Sequence, residues 1–283
     1  MPAVFVLIWS TGFIVARYSM PYAPPMKFLM LRYLFSVLCF AVWAVLARAA
    51  LPVNARQYAH LAVTGVLMHA GYLGGVWAAV KLGMGAGLAA LLVSLQPVLT
   101  AVWVSSRGGR VTPRQWAGLA LGFGGLALVV WNKLGLGEIH AANLLLAFIA
   151  LASITTGTLY QKRFLSPCDV RTASLVQFAA AFAVTVPLAL LESESMHWNL
   201  QLGAAMAWSV LALSLGASSL LYLLIQRGAA TAVTSLLYLV PPCTAMMAWL
   251  LFNESMTALT LAGMALTAFG VSLVVRAPAA ARA

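Results

Sequence analysis

The chain has 283 residues, of which 63% are hydrophobic and 7% are charged, and its formal net charge is +11. A soluble domain is about one quarter charged because its surface must be hydrated, so this composition excludes an ordinary soluble enzyme and a disordered chain. It predicts a protein that crosses a membrane several times.

Apolar segments long enough to cross a bilayer, roughly 20 residues each, recur ten times along the chain. The first is short and no basic region precedes it, so we expect a true first helix with further residues upstream rather than a secretory signal. The pattern predicts an all-α membrane protein with spans at about 2–18, 28–48, 57–80, 84–105, 114–132, 141–162, 170–191, 202–225, 229–252 and 257–275.

The distribution of basic residues predicts the orientation of these spans. Alternate loops place eleven Lys and Arg residues on one side and four on the other, while Arg32 lies within a span. Because basic loops stay in the cytoplasm, we expect both termini to be cytoplasmic and the positive charge to report topology rather than nucleic-acid binding. The four outer residues are Arg17, Lys27, Lys81 and Lys133, on the same side as Glu138, Glu192, Glu194 and Glu254.

The sequence also aligns on itself. Residues 81–130 match residues 226–275 without a gap, at an offset of 145 residues, and 13 of the 50 aligned positions are identical. We therefore predict two five-span repeats, residues 1–137 and 138–283, within one membrane domain. An odd number of spans inverts the second copy, which is common among secondary transporters. A duplicated scaffold without transport activity is the alternative.

Glycines are frequent in spans five and ten. They form small-residue faces that favour close helix contact. We expect this contact within the chain, with a dimer interface as the alternative.

Three segments resemble the drug/metabolite transporter superfamily: IWSTGFIVARY (8–18), PPMKFLMLRY (24–33) and LLFNESMTALTLAGMALTAFGVSLVV (250–275). More narrowly, the chain resembles the ten-helix EamA-type branch, which includes bacterial exporters of amino acids. The resemblance implies alternating access at the inner membrane, with spans one, three, four, six, eight and nine around a substrate cavity. In that family the acidic residue after span nine, here Glu254, recurs after span four, where this chain has Gly109.

Polar and aromatic side chains within spans are costly in lipid, so we expect them to face the cavity. Prolines inside a helix remove a backbone hydrogen bond, and we expect a gating hinge at Pro97, Pro241 and Pro242, with a static kink as the alternative. The predicted substrate-binding residues are Trp9, His69, Tyr72, Trp77, Ser94, Gln96, Ser153, Thr156, Tyr222 and Tyr238.

Arg32 stands about one turn into span two. Its guanidinium could bind a substrate carboxylate in a bidentate manner. Its position near the end of the span favours the other interpretation, in which the side chain snorkels to the interface or pairs with a neighbouring helix end.

An aromatic, uncharged cavity suits a zwitterionic or amphipathic molecule. Together with the resemblance, this predicts export of amino acids, with aromatic or large neutral ones preferred. No Asp or Glu lies deep in a span, which favours facilitated transport over a carboxylate proton relay. A proton-coupled drug or metabolite exporter using His69 remains an alternative, as does a scaffold.

No phosphate-binding loop, zinc-protease motif or nucleophile elbow occurs, so we expect no enzymatic activity. The three cysteines lack metal-ligand spacing. We expect no cofactor, no metal and no nucleic-acid partner. The expected partners are a small-molecule substrate and membrane lipid, around a protein that we expect to be monomeric.

Overall fold

The computed structural model describes residues 2–106, 112–135, 138–226 and 239–275. Within these ranges all regular structure is helical and no β-strand occurs, which confirms the predicted all-α class. The number of ten spans stays a prediction. Six helices are long and apolar enough to cross a membrane: Pro25–Leu46, Ala55–Lys81, Pro113–Leu134, Ala141–Phe164, Val170–Leu191 and Leu200–Leu223. Shorter apolar helical segments lie at the other predicted spans: Phe5–Ser19, Ala86–Thr100 (interrupted at residues 94–95), Val240–Phe252 and Ala258–Leu273.

The helices are numbered in chain order, and two of them contain a π-helical segment. They are α1 (Pro2–Ser19), α2 (Pro25–Leu46), α3 (Ala55–Gly65, the π segment Val66–Gly71 and Tyr72–Lys81), α4 (Ala86–Val93), α5 (Gln96–Ser106), α6 (Pro113–Gly135), α7 (Ala141–Phe164), α8 (Val170–Leu191), α9 (Leu200–Trp208, the π segment Ser209–Ser218 and Ser219–Gln226), α10 (Val240–Phe252) and α11 (Ala258–Val275).

The prolines of the predicted hinge stand in the first turn of a helix. Predicted span four is interrupted at residues 94–95, and Pro97 is the second residue of α5. Pro241 and Pro242 lie in the first turn of α10. Proline is favoured at such positions because the N–H group that it lacks has no partner in a first turn. At Pro97 the structure therefore has an interrupted helix instead of a kinked continuous one, and the gating role stays a prediction.

Helix boundaries recur at the offset of 145 residues. Helices α2 and α8 begin 145 residues apart and also end 145 residues apart. Asn54 accepts a hydrogen bond from the N–H of Gln57 at the start of α3, and Asn199 does the same for Leu202 at the start of α9. Both α3 and α9 contain a π segment. Local structure thus repeats together with the sequence.

Helices related by this offset pack against each other in pairs, α2 with α8 and α6 with α11. The carboxylate of Glu192, just after α8, accepts hydrogen bonds from the N–H groups of Met26 and Lys27 at 2.9 and 2.8 Å. The Asn132 amide near the end of α6 donates to the Thr260 hydroxyl at 3.0 Å. In both pairs the end of one helix lies beside the start of the other, so the paired helices are antiparallel.

Four of the five acidic residues gather at one end of the bundle, where each has a polar partner. Lys81 pairs with Glu194 at 2.5 Å, and Lys133 pairs with Glu138 at 2.7 Å. The Lys81–Glu194 pair joins segments that are 113 residues apart in sequence, and Lys133 also donates to the hydroxyl of Ser255 at 3.0 Å. We call this end of the bundle the acidic end, defined by Glu138, Glu192, Glu194 and Glu254.

The fifth acidic residue, Asp169, lies at the opposite end, at the start of α8. Its carboxylate accepts hydrogen bonds from the backbone N–H and the guanidinium of Arg171, at 2.9 and 2.6 Å. The hydrogen bonds from that side chain hold the pKa of the Asp169 carboxyl below its usual value. We call this the basic end, because it also carries Arg48, Arg56, Lys162, Arg163 and Arg171.

Glycines allow α6 and α11 to touch backbone to backbone. A Cβ atom on Gly125 would lie 2.5 Å from the carbonyl oxygen of Gly263, and one on Gly270 would lie 2.6 Å from that of Gly118. Gly124 points elsewhere, and no described atom lies within 4 Å of where its Cβ would be. The small-residue faces of spans five and ten therefore meet within the chain.

Replacing Gly125 tests this packing. We expect Gly125→Ala to lower the free energy of unfolding by about 1–3 kcal/mol, because the added methyl overpacks a backbone contact. The measurement is thermal or denaturant unfolding of the purified protein in detergent. The matched control is Gly124→Ala, where only the gain in helix propensity, about 1 kcal/mol, applies. Equal stability of the two variants would contradict the contact.

Candidate functional site

A cavity with an empty volume of about 720 Å³, partly open to solvent, lies between α1, α2, α3, α7, α8 and α9. This volume includes the solvent at the open mouth, so it is larger than the enclosed space. Aromatic and aliphatic side chains form most of the wall, with a few polar groups among them. The lining residues are Trp9, Gly12, Phe13, Arg32, Met68, His69, Tyr72, Leu73, Trp77, Ile154, Gln161, Ser174, Gln177, Leu213, Ser218, Leu221 and Tyr222.

Five of the predicted substrate-binding residues meet at this cavity. Trp9 comes from α1 and Tyr222 from α9, whereas α3 supplies His69, Tyr72 and Trp77. Three of these five therefore lie on one helix, in and just after its π segment. A π-helical turn holds an extra residue, which is a frequent way of turning side chains towards a functional site.

Hydrogen bonding and ring stacking hold the π segment of α3 in place. The hydroxyl of Tyr33 donates to the carbonyl oxygen of His69 at 2.9 Å. The imidazole ring of His69 stacks on the ring of Phe178, with 4.1 Å between centroids. The backbones of α3 and α8 meet one turn earlier, where a Cβ on Gly65 would lie 2.2 Å from the carbonyl oxygen of Gln177. These contacts fix the wall that carries His69 and Tyr72.

Two predicted residues from span four lie away from the cavity because their polar groups bind elsewhere. The hydroxyl of Ser94 donates to the carbonyl oxygen of Leu91 at 2.6 Å. The amide of Gln96 donates to the hydroxyl of Thr158 at 2.9 Å and so joins α5 to α7.

Predicted residues of span six also lie outside the lining. Ser153 packs against the backbone of Gly71, since a Cβ there would lie 2.7 Å from the serine hydroxyl. Thr156 is exposed on the outer face of α7. Tyr238 lies outside the described residues.

Arg32 lines the cavity, and its burial contradicts the snorkelling that its position in the sequence favoured. Snorkelling would expose its side chain, but only 3% of the residue surface is exposed. Its Nε donates to the hydroxyl of Ser214 at 3.1 Å, and its guanidinium carbon lies 5.6 Å from the centre of the Trp77 ring. The guanidinium thus sits between α2, α3 and α9, inside the cavity.

The sequence interpretation also missed the contribution of α8 and the glutamine of α7. Ser174, Gln177 and Gln161 line the cavity, whereas the described parts of α4, α5 and α10 supply no lining residue. Helix α4 is buried along its whole length against neighbouring helices and leaves no face free. The repeat offset links Gln177 to the cavity, because it lies 145 residues after Arg32 and so takes the equivalent position in the second half of the sequence.

The cavity contains a cationic side chain but no anionic one. All five acidic residues of the chain lie within the described ranges, and none of them lines it. From Trp77 and Arg32 the cavity runs to Gln161 and Ser174, which lie near the basic end of the bundle. Such a site can bind a small apolar body and hydrogen-bond its polar groups.

Comparison with known proteins places the chain among transporters. The model of the EamA-like transporter family matches residues 3–131 and 142–276. An uncharacterized transporter of Archaeoglobus fulgidus is 24% identical over 282 residues, which cover 96% of this chain and 94% of the relative. YedA, an uncharacterized inner membrane transporter of Escherichia coli, is 24% identical over 96% of this chain and 89% of its own.

Another relative matches over a shorter length. A probable amino-acid metabolite efflux pump of Escherichia coli is 26% identical over 162 residues, which are 57% of this chain and 52% of the pump.

A crystal structure at 17% sequence identity has a similar fold, with a TM-score of 0.69 over 96% of this chain and 95% of that one. The family model covers most of the sequence, and the long apolar helices agree with it. The protein therefore belongs to the EamA-like transporter family and is a multi-pass membrane transporter of small molecules rather than an enzyme.

Proposed function

We propose that the protein exports amino acids, with aromatic or large neutral ones preferred, and related small metabolites across the inner membrane by alternating access. The observation that carries this proposal is the aromatic-walled cavity without acidic residues. Aromatic walls favour large apolar side chains, and the neutral polar groups suit the backbone of an amino acid. The amino-acid metabolite efflux pump of Escherichia coli, similar over about half of each chain, supports the substrate class.

Alternating access requires two halves that can exchange conformations, and we assign these to residues 1–137 and 138–283. The two stretches matched by the family model fall one in each half. Helices related by the offset of 145 residues are antiparallel in both packed pairs, α2 with α8 and α6 with α11. This arrangement supports inverted repeats related by an axis in the membrane plane.

Close contacts across the halves occur in equivalent pairs. Gly125 contacts Gly263. The residues at the equivalent positions, 145 residues away, are Gly270 and Gly118, and these also contact each other. A two-fold relation produces this reciprocity, because residue i then contacts j while the equivalent of i contacts the equivalent of j. Gly12 with Leu213 and Gly157 with Met68 form a second such pair.

The state of the cavity supports an inward-open conformation. Ion pairs and carboxylate-capped helices close the acidic end, while the cavity extends towards the basic end. Basic loops stay on the cytoplasmic side, so this assignment places the open side and both termini in the cytoplasm. Export would then require the acidic end to open.

Weakening a contact at the acidic end tests this. Glu254 accepts a hydrogen bond from the N–H of Ala86 at 2.9 Å and lies 3.9 Å from Arg17. The test uses a protein whose native cysteines are replaced and in which Leu73→Cys places a thiol in the cavity lining. In this background, we expect Glu254→Gln to make the thiol react about two- to fivefold faster with a membrane-impermeant reagent added outside. A partly exposed ion pair contributes up to about 1 kcal/mol to closure. Asp169→Asn, at the basic end, is the control, and an unchanged rate in Glu254→Gln would contradict the gate.

Trp9 tests the substrate preference. In proteoliposomes with labelled phenylalanine, we expect Trp9→Leu to raise KM about three- to tenfold, because aromatic packing contributes about 0.5–1.5 kcal/mol. Trp131→Leu is the matched control, since that ring is 76% exposed on the outer surface of α6. Absence of saturable flux for any amino acid in the wild-type protein would reject the proposed function in favour of another cargo or a scaffold.

The source of energy can be tested in the same vesicles. Without a carboxylate in the cavity, we expect a pH gradient of about one unit to change phenylalanine flux by less than about twofold at a fixed substrate gradient. A larger acceleration that His69→Asn abolishes would favour the proton-coupled alternative, since His69 is the one histidine among the lining residues of the described chain.

A further inference from the structure

We propose that Arg32 binds a carboxylate group of the cargo, and that recognition depends on this carboxylate and not on an ammonium group. The expected substrates are amphipathic organic molecules with one carboxylate, a class that includes amino acids. This inference rests on the proposed transport function and narrows the chemistry of the same cavity.

The first reason is that the guanidinium of Arg32 has unused hydrogen-bonding capacity. Among the described residues, its Nε–H group alone has a side-chain acceptor, the Ser214 hydroxyl at 3.1 Å. Nη1 is buried and has no hydrogen-bond partner within the described part of the chain. A buried guanidinium nitrogen without an acceptor is costly, and a ligand oxygen in the cavity would satisfy it.

The second reason is the missing counter-ion. Lys133, which is 4% exposed, binds both carboxylate oxygens of Glu138 at 2.7 and 2.9 Å. Arg32 is equally buried, yet all five acidic residues of the chain are bound elsewhere, at the two ends of the bundle. Arginine remains protonated in proteins, and a buried cation requires an opposite charge. No side chain of the described residues neutralises Arg32, so we assign this role to an anion of the cargo.

The third reason is the geometry around the guanidinium. The Trp77 ring, 5.6 Å away, packs beside the guanidinium and restricts its orientation. With Nε held by Ser214, the Nη atoms remain for the oxygens of a carboxylate, which arginine binds in a fork. Trp9, Phe13 and Tyr72 line the same cavity and can pack on the apolar part of the ligand.

The number of positive charges in the cavity limits the negative charge that a ligand can carry there. Arg32 is the one Lys or Arg among the lining residues of the described chain, so a monoanion balances it and a phosphate ester or dicarboxylate does not. The lining offers glutamine, serine and tyrosine side chains to an ammonium group but no carboxylate. An ammonium group therefore gains little from this site, so we expect binding without one.

Four related ligands separate these contributions in the wild-type protein. Binding of 3-phenylpropionate, phenylalanine, phenylalanine amide and phenethylamine is measured by tryptophan fluorescence in lipid nanodiscs. We expect the Kd values of the two carboxylates to agree within about threefold, and the two ligands without a carboxylate to bind at least about tenfold more weakly. Equal binding of phenethylamine and 3-phenylpropionate would overturn the inference, as would a failure of 3-phenylpropionate to bind.

Substitutions then identify the residue. We expect Arg32→Met to weaken 3-phenylpropionate binding about 10- to 100-fold, and Arg32→Lys to weaken it less, because lysine keeps the charge but loses the fork. Arg163→Gln removes an exposed cation and is the matched control. Thermal unfolding of each variant identifies any that has not folded, and the wild-type ligand series decides the question independently of them. An unchanged Kd in a folded Arg32→Met protein would overturn the assignment.

Failure of the inference and failure of the proposed function give different results. Phenylalanine flux that does not depend on Arg32 leaves amino-acid export standing and rejects the carboxylate site. Arg32-dependent binding of 3-phenylpropionate without amino-acid flux keeps the carboxylate site and rejects amino-acid export.

Discussion

The cost of burying charge governs where the ionic groups of this protein lie. All five carboxylates are at helix ends, where lysine or arginine side chains or helix N-termini stabilise them. The buried Lys133 follows the same rule through Glu138. Arg32 does not, because its contacts are a neutral hydroxyl and an aromatic ring. Of the buried Lys and Arg residues in the described chain, Arg32 is the one without an opposite charge, and we assign its balance to the proposed ligand.

Close backbone packing places that charge in a cavity. Glycines let α6 lie directly on α11 and let α3 approach α8, so little free volume remains in these contacts. The cavity lies around the π segment of α3 and the middle of α9. Polar contacts such as Lys81 with Glu194 lie at the acidic end, which is the end that the proposed alternating-access cycle keeps closed in this conformation.

Apolar patterning predicted the helices well, because crossing lipid demands about 20 apolar residues whatever their neighbours are. It could not predict how polar groups within spans are satisfied. Gln96 and Trp77 both looked like cavity residues, yet Thr158 binds Gln96 while Trp77 lines the cavity. The position of Arg32 near the end of a span favoured snorkelling, and its burial depends on Ser214, which is 182 residues away in sequence. Such partners become visible only when the helices are packed.

The proposed repeats separate the scaffold of the transporter from its chemistry. Asparagine caps, π segments and glycine contacts recur at the offset of 145 residues, and these features determine helix ends and packing. The residues facing the cavity differ: Gln177 takes the position equivalent to Arg32, and Tyr222 that equivalent to Trp77. A second arginine at position 177 would put two like charges in one cavity, at a cost that rises as water is excluded. In the proposed alternating-access cycle, the two halves would exchange conformations while the site keeps a single charge, so the ligand would bind in one orientation.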